Sequence, residues 1–473
     1  MDRHSYGTDR WKILCGTTGG IEGNAVKLLY AGVSQEVPYI LVSQRAQDAP
    51  ALDDTGLILV GTRESNPLLS SLPQADHIPE EGYTVQVTAS PFHPEKQMAF
   101  IAGSSPEQVV YAVSHFLNYY LPNARQNSEH HPYFLPLFSG KMPEYQKVMS
   151  PRWSERGIWT WGHCIYDYRR FAQNMARLGL NAVTIWNDYA PLNLREAVDC
   201  FHDWGIKVYF GYAWGWDEQF DISSEKEFNR VLGTAVNTYA DSYANAGGDG
   251  IYFQSFTETS DEYINGVPIA ETVVDWVNRV SGAMLERWPG LDIRFGLHAT
   301  SVKNRLNAIA KVDPRISIHW EDCGAFPYSY FSRAIQGEAE MLSFTDQIAA
   351  LRPAGQYGVV LKGQVCLDWT MFENQKGPFL MGCESERTIQ ARLAQVIPRW
   401  HDVQGYWLKN FGQYRRTLSH LPGAAVYALV EDALLEAGCW YPVALFADAL
   451  WDTQSPDGEL LCAAARRPDV VLA

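Results

Sequence analysis

The spacing of apolar residues changes near residue 150 of the chain. Upstream, short runs rich in β-branched and aromatic residues are bounded by Gly, Pro, Asn or Asp, a pattern that predicts strands. The runs are WKILCG, YILVSQ, GLILVGT, YTVQVTA and MAFIAGS. A helix is predicted from Ser105 to Leu121, because Ser105 can cap it and Pro106 suits its first turn. We therefore expect a small α+β domain over residues 1–145.

Strand and helix patterns alternate after a polar, Pro-rich linker predicted at residues 122–150. Candidate strands occupy residues 157–161, 182–187, 207–212, 250–255, 292–297, 315–320, 358–363 and 405–408. Eight strands that alternate with helices predict an α/β fold, a (β/α)8 TIM barrel over residues 151–473 with helices at its C-terminal end. An open doubly wound sheet gives the same alternation. It would normally bind its ligand at one Gly-rich turn rather than at every strand end.

The fourth candidate strand leads directly to a carboxylate. In GGDGIYFQSFTETSDE, residues 247–262, an apolar run is followed by Glu258 and a polar loop. Because strand side chains alternate between faces, Tyr252, Gln254 and Glu258 share one face, which we expect to line the barrel. Active sites of TIM barrels lie at the C-terminal ends of the strands. Glu258 is therefore the predicted proton donor.

Strands six and seven supply candidate partners for this acid. His319 and Glu321 share a face of strand six that we expect to point inward, and Asp368 lies at the end of strand seven or in the loop after it. Two carboxyl groups that flank a glycosidic bond have different roles in its hydrolysis. One is protonated and donates its proton to the leaving oxygen, and the other is ionised and acts as base or nucleophile. Glu321 and Asp368 are the predicted second carboxylates. Alternatively, Lys362 or Arg294 could hold Glu321 in a structural ion pair.

Aromatic and polar residues recur at the predicted strand ends. Aromatic residues make up 13% of the chain, including 16 Trp. Trp often packs between strands and helices, but at a cleft its apolar face can stack on a sugar ring. The predicted substrate-binding residues are Trp161, Asn187, Asp188, Trp214, Trp216, Thr257, His298, Trp320, Asp322, Trp369 and Trp407.

The net charge of the chain indicates which classes of binding partner to expect. A net charge of -16 argues against nucleic acid or an anionic membrane as the main partner, because both require a basic surface. A neutral or polar small substrate fits better. The N-terminus has no apolar signal segment, and no stretch approaches the ~18 uninterrupted apolar residues of a membrane span. An acidic, Trp-rich barrel with long loops could form a homodimer.

Cysteine and histidine patterns argue for a protein without metal or cofactor. The eight cysteines are dispersed without a CxxC pair, which predicts reduced thiols in a cytoplasmic protein. No HExxH motif and no GxSxG elbow occur. The Gly-rich GTTGGIEG lacks the Lys-Ser/Thr ending of a phosphate-binding P-loop, so it is interpreted as a turn.

The order of the motifs resembles a known architecture. A domain with GLILVGT, EEGYTVQVT and MAFIAGSSPEQVVYAVSHFL, followed by a barrel that opens with RGIWTW, is similar to two-domain glycoside hydrolases of family 20 (β-N-acetylhexosaminidases) and family 67 (α-glucuronidases). The resemblance implies that the general acid is a Glu at the end of strand four, here Glu258. Family 20 has an Asp before that Glu, whereas this chain has Thr257. The family 67 bases have counterparts in Glu321 or Asp322 and in Asp368.

We expect an exo-acting glycoside hydrolase with a carbohydrate substrate. The favoured activity is β-N-acetylhexosaminidase-like, on terminal GlcNAc or GalNAc. The resemblance includes hexosaminidases, and no cluster of Arg suited to a uronate is evident in the sequence. The alternatives are an α-glucuronidase-like inverting hydrolase and a non-catalytic sugar-binding protein on the same scaffold.

Overall fold

The computed structural model describes residues 10–49, 52, 55–126, 138, 141–214, 221–254, 261–298, 302–321, 335–368, 370 and 375–473. The described residues form a six-stranded sheet followed by a closed eight-stranded barrel.

The N-terminal sheet has the strand order β2-β1-β3-β5-β4-β6. Its strands are β1 (Trp11–Cys15), β2 (Val42–Arg45), β3 (Gly56–Gly61), β4 (Tyr83–Ala89), β5 (Gln97–Gly103) and β6 (Tyr145–Met149). Its helices are α1 (Gly20–Ser34), α2 (Pro67–Ser70), α3 (Pro106–His115) and α4 (Leu121–Gln126). The strands β2, β1, β3 and β5 are parallel, and β4 pairs antiparallel with both β5 and β6.

The five strands predicted upstream of residue 105 are all present. Ser105 caps α3 by accepting a hydrogen bond from the Gln108 amide, and Pro106 begins the helix, as predicted. The predicted linker is wrong at both ends, and its first residues, 122–126, belong to α4. Its last part forms β6, because hydrogen bonding to β4 gives the backbone of residues 145–149 ladder partners that no local pattern could indicate.

The second unit is a (β/α)8 barrel. Eight parallel strands close in the order β10-β13-β14-β15-β16-β7-β8-β9, and β9 pairs with β10. They are β7 (Arg156–Trp161), β8 (Ala182–Trp186), β9 (Lys207–Gly211), β10 (Gly250–Gln254), β13 (Asp292–His298), β14 (Ser317–Glu321), β15 (Tyr357–Val365) and β16 (Ala425–Glu431). Short strand pairs outside the barrel are β11 (Tyr263–Ile264) with β12 (Val267–Pro268), and β17 (Cys439–Trp440) with β18 (Val470–Val471).

Helices surround the barrel and follow it at the C-terminus. They are α5 (Tyr168–Arg177), α6 (Leu194–His202), α7 (Glu225–Thr238), α8 (Ile269–Arg287), α9 (Leu306–Ile309), α10 (Glu338–Ala349), α11 (Glu386–Ser419), α12 (Tyr441–Trp451) and α13 (Asp457–Ala465). None of the helices in the described ranges combines the length and the apolar character that a bilayer crossing requires.

The prediction of strand eight at residues 405–408 is wrong. These residues lie inside α11, a helix of 34 residues. The buried residues Trp400, Val403 and Trp407 are spaced by three and four positions, which is the helical period. Four apolar residues in isolation cannot distinguish a strand from part of a helix. The eighth strand is β16, which pairs with β15 on one side and β7 on the other.

An ionic cluster fills the N-terminal end of the barrel. Arg294 on β13 donates to Glu155, to Asp292 and to the Tyr427 hydroxyl on β16, and it lies over the Tyr209 ring. Burial opposes the charge of Glu155, but Arg294 and the Tyr427 hydroxyl outweigh it and lower the pKa of this carboxyl to about 2. Arg294 therefore does not hold Glu321, whereas the side chain of Lys362, the other residue of that alternative, lies outside the described residues.

We expect acid to destabilise the protein, because two histidines are buried in their neutral form. Burial lowers the pKa of His319 on β14 and of His115 on α3 to about 3. The positive charge of Arg294 lowers the pKa of His319 further, and the charges of Lys147 and Arg467 lower that of His115. Unfolding exposes both rings, which then bind protons near pH ~6.5. The unfolded state therefore binds more protons between these values, and the free energy of unfolding falls as pH drops from ~6.5 towards 3, by ~1.4 kcal/mol per pH unit for each histidine.

Urea unfolding at fixed ionic strength between pH 7 and pH 4.5 measures this slope. His319→Gln should make the slope shallower, whereas His401→Gln, at a ring that is 74% exposed, should not change it. An unchanged slope in His319→Gln would contradict the assignment of a buried neutral imidazole.

Candidate active site

Glu321 lies at the C-terminal mouth of the barrel. It is the last residue of β14 and is 2% exposed. Its Oε1 atom accepts hydrogen bonds from the Tyr252 hydroxyl and the Gln254 side-chain amide, both on β10. The inward direction predicted for Tyr252, Gln254 and the strand-six row is thus confirmed, because these side chains can meet only inside the barrel.

A glycine allows this contact between strands that are not neighbours. β13 lies between β10 and β14. A Cβ atom at Gly296 on β13 would be 2.3 Å from the Tyr252 hydroxyl oxygen and 2.9 Å from Cγ of Gln254. Any larger residue would therefore block the route by which Tyr252 and Gln254 reach Glu321.

A second buried carboxylate, Glu431, ends strand β16. The Trp161 indole, at the end of the neighbouring strand β7, donates a hydrogen bond of 2.8 Å to Oε1 of Glu431. The sequence analysis missed Glu431 because β16 was not identified. The signal was present in AAVYALVED, residues 424–432, where an apolar run leads into two acids just as it does before Glu258.

The loop after β16 is fixed to the loop after β7. Asp432 pairs with Arg392 of α11 and accepts a hydrogen bond of 3.0 Å from the Tyr166 hydroxyl. Glu436 accepts hydrogen bonds from the backbone amides of Tyr166 and Asp167. Burial raises the pKa of Glu436 to about 7. These contacts hold Glu431 and the end of β7 in a defined relative position.

Trp161 belongs to a cluster of indoles inside the barrel. Its ring centroid is 5.7 Å from that of Trp159 and 5.8 Å from that of Trp186, and all three residues are buried. Most of the Trp161 surface is therefore covered by protein. The hydrogen bond from Trp161 holds the Glu431 carboxylate in place, and a contact of Trp161 with sugar stays a prediction.

Three of the predicted sugar-binding tryptophans instead face the helix layer, which corrects the prediction for them. Trp214 stacks on Phe253 with ring centroids 3.6 Å apart, and Phe253 points away from the barrel interior. Trp320 packs edge-on against Phe344 of α10. Trp407 lies on α11 and donates to the Gly363 carbonyl. Alternation explains Trp320: it follows inward-facing His319 and must therefore point outward.

Asn187 and Asp188 follow β8 at the mouth. Asn187 is buried. A Cβ atom at position 162 would lie 2.2 Å from its Oδ1 atom, so only a glycine fits at Gly162 beside Asn187. Asp188 is exposed and accepts a hydrogen bond of 3.0 Å from the Gln375 amide. Both predicted residues thus border the strand ends, and Asp188 connects two mouth loops.

Asp368 has the environment of a surface carboxylate. Its side chain is 41% exposed and forms an ion pair of 2.7 Å with Arg399. Hydrogen bonds from the Thr370 hydroxyl and amide, together with Arg399, lower the pKa of Asp368. These contacts stabilise the loop after β15 and keep the group ionised.

Several predicted site residues lie outside the described residues: Trp216, Thr257, Glu258, Asp322 and Trp369, together with the side chain of His298. Their roles stay predictions. Within the described ranges, no group of three or more His, Cys, Asp or Glu side chains could hold a metal ion.

The Gly-rich segment GTTGGIEG, residues 16–23, forms the turn after β1 and the first residues of α1. The Glu22 carboxylate accepts hydrogen bonds from the Thr17 amide and the Ser65 hydroxyl.

Comparison with known proteins gives distant structural similarity. No protein-family model matches the chain, and no curated protein matches it. The chain is similar to a solved structure of CpGH84D, with a TM-score of 0.49 and 11% identity, over 96% of this chain and 68% of that chain. It is also similar to BtGH115A, described as a family GH115 4-O-methyl-α-glucuronidase with specificity for decorated arabinogalactans. For that structure the TM-score is 0.49 and the identity 12%, over 94% of this chain and 57% of that one. The resemblance to families 20 and 67 stays a prediction.

Proposed function

We propose that this protein is a glycoside hydrolase whose active site is the C-terminal mouth of the barrel. The observation that carries the proposal is Glu321, a buried carboxylate at the end of an inward-facing strand row, oriented by Tyr252 and Gln254. Hydrolysis of a glycosidic bond requires such a carboxylate together with a second acidic group.

In the proposed reaction, Glu258 donates its proton to the glycosidic oxygen as the bond from that oxygen to the anomeric carbon breaks. Glu321 accepts a proton from the water whose oxygen bonds to the anomeric carbon. The products are a free sugar and a protonated leaving group, and proton exchange with solvent restores both carboxyls. The two donors on β10 fix the orientation of Glu321, and Glu431, two strands away on β16, accepts hydrogen bonds from sugar hydroxyls.

An uncharged sugar such as N-acetylglucosamine or N-acetylgalactosamine fits this mouth better than a uronate. A uronate carboxylate needs a cation that is not already neutralised. Two arginines near the mouth are already paired with carboxylates, Arg392 with Asp432 and Arg399 with Asp368. The exposed Asp188 adds further negative charge.

Aryl glycosides of N-acetylglucosamine, N-acetylgalactosamine and glucuronic acid test the proposal by release of the chromophore. We expect cleavage of an N-acetylhexosaminide. Cleavage of the glucuronide alone would replace the substrate with the α-glucuronidase alternative. If no glycoside is cleaved but calorimetry detects sugar binding, the chain is a sugar-binding protein and the enzymatic proposal is wrong.

Asp368→Asn distinguishes the two candidate partners of Glu258. Because Asp368 is exposed and ion-paired, we expect kcat to fall by no more than about threefold, with a change in stability within the ~1 kcal/mol typical of an exposed ion pair. Steady-state kinetics on the best glycoside measure this. A loss of about 100-fold or more would place the base at Asp368 instead of Glu321.

A further inference from the structure

A cavity of about 400 Å³ opens beside the barrel mouth. Its lining consists of His163 and Ile165 after β7, and of Gln375, Phe379, Leu380, Cys383 and Glu384 after β15. Its volume lies within the ~300–1,000 Å³ range of small-molecule sites.

Hydrogen bonds fix the segment of residues 375–385, which forms one wall, to the loops after β7 and β8. The Leu192 amide donates to the Phe379 carbonyl over 2.8 Å. Asn193 and Met381 exchange two hydrogen bonds of 2.9 Å, and the Glu384 amide donates to the Tyr166 carbonyl. These hydrogen bonds hold the wall of the cavity in place, and a site that is held in place lowers the entropic cost of binding.

Three exposed apolar side chains lie at or near the rim of the cavity. Leu380 is 57% exposed and Leu192 is 72% exposed, and the nearby Tyr189 is exposed as well. Phe379, which is partly exposed, continues this apolar surface into the cavity. When a ligand covers exposed apolar surface of this kind, the surface is removed from water, and this favours binding.

Two contacts place the lining of the cavity next to residues of the mouth. The His163 ring centroid is 5.9 Å from that of Trp161, and Trp161 holds Glu431. Gln375 is bonded to Asp188, which follows Asn187 at the end of β8. A molecule bound at the mouth could therefore extend into the cavity.

We propose that this cavity is the leaving-group subsite of the hydrolase and that it binds an apolar, aromatic or alkyl aglycone. The inference rests on the proposed function and specifies its substrate: a sugar linked to an apolar group. Phe379 and Leu380 contact the aglycone, while the sugar remains beside Glu321. A second copy of the chain is a poorer occupant, because a stable dimer buries ~800 Å² per partner and three exposed side chains supply only a fraction of that.

Leu380→Ser tests the subsite with two substrates that share one sugar, an aryl glycoside and the methyl glycoside. We expect KM for the aryl glycoside to rise about tenfold, because the variant loses apolar surface that the aglycone would cover, while KM for the methyl glycoside stays the same. Comparing each substrate with itself across variants removes the difference in leaving-group reactivity.

Leu472→Ser is the matched control, because Leu472 is 55% exposed and lies at the C-terminal end of the chain. It should leave both KM values unchanged. If the wild type cleaves both glycosides and Leu380→Ser changes them equally or not at all, the subsite is wrong and the hydrolase proposal stands. If the wild type cleaves neither, both proposals fail. Dimerisation in sedimentation experiments that Leu380→Ser abolishes would assign the rim to a second copy instead.

Discussion

Glu321→Gln is expected to lower kcat on a cleaved glycoside by about 10³-fold, within the ~10²–10⁴ range of general acid-base catalysis. Gln has nearly the same shape, and its carbonyl oxygen can still accept from Tyr252 or Gln254. An amide cannot take a proton from the attacking water, so chemistry is lost while the fold is retained. Steady-state kinetics and a thermal melt of the variant measure both quantities.

Two further variants separate a catalytic Glu321 from a structural one. Tyr252→Phe removes one donor to the carboxylate, which should raise the apparent pKa of the acidic limb of the pH profile of kcat/KM, because a hydrogen bond to the charged form stabilises it. Glu459→Gln, an exposed residue of α13, should leave kcat unchanged. The assignment fails if Glu321→Gln keeps wild-type kcat, or if its activity loss is fully explained by unfolding at the assay temperature.

Arg294→Met is expected to lower the free energy of unfolding by about 3 kcal/mol or more. The substitution leaves the carboxylates of Glu155 and Asp292 without their cation at the N-terminal end of the barrel. Removing one member of a buried ion pair typically costs ~3–5 kcal/mol, and the lower part of this range applies because Asp292 is partly exposed. Urea unfolding at pH 7 measures the change.

The control for Arg294 is an exposed arginine that also bonds two carboxylates. Arg279→Met breaks contacts with Glu225 and Asp275 on the surface and should cost less than ~1 kcal/mol. The double variant Arg294→Met with Glu155→Gln should recover part of the loss, because it removes one uncompensated charge together with its partner. Equal losses at Arg294 and Arg279 would show that the barrel cluster is as well solvated as the surface.

Local sequence patterns predicted the strands and their inward faces well where a strand has both alternation and clear boundaries. Strand β14 is an example, since the polar residues His319 and Glu321 alternate with Ile318 and Trp320. The same alternation should have excluded Trp320 from the mouth. Strand β16 was missed because most of its residues are apolar on both faces, and a short apolar run carries no periodicity.

The sequence by itself determined the alternation of strands and helices, the inward direction of Tyr252, Gln254 and Glu321, and hence the end of the barrel where a site could form. These features depend on the spacing of residues along one element. Only the tertiary structure decided which side chains meet: Glu321 with β10 across Gly296, Glu431 with Trp161, and Arg294 with Glu155 rather than Glu321. Such pairings depend on how the closed barrel brings strands together that are far apart along the chain, and no local pattern encodes those distances.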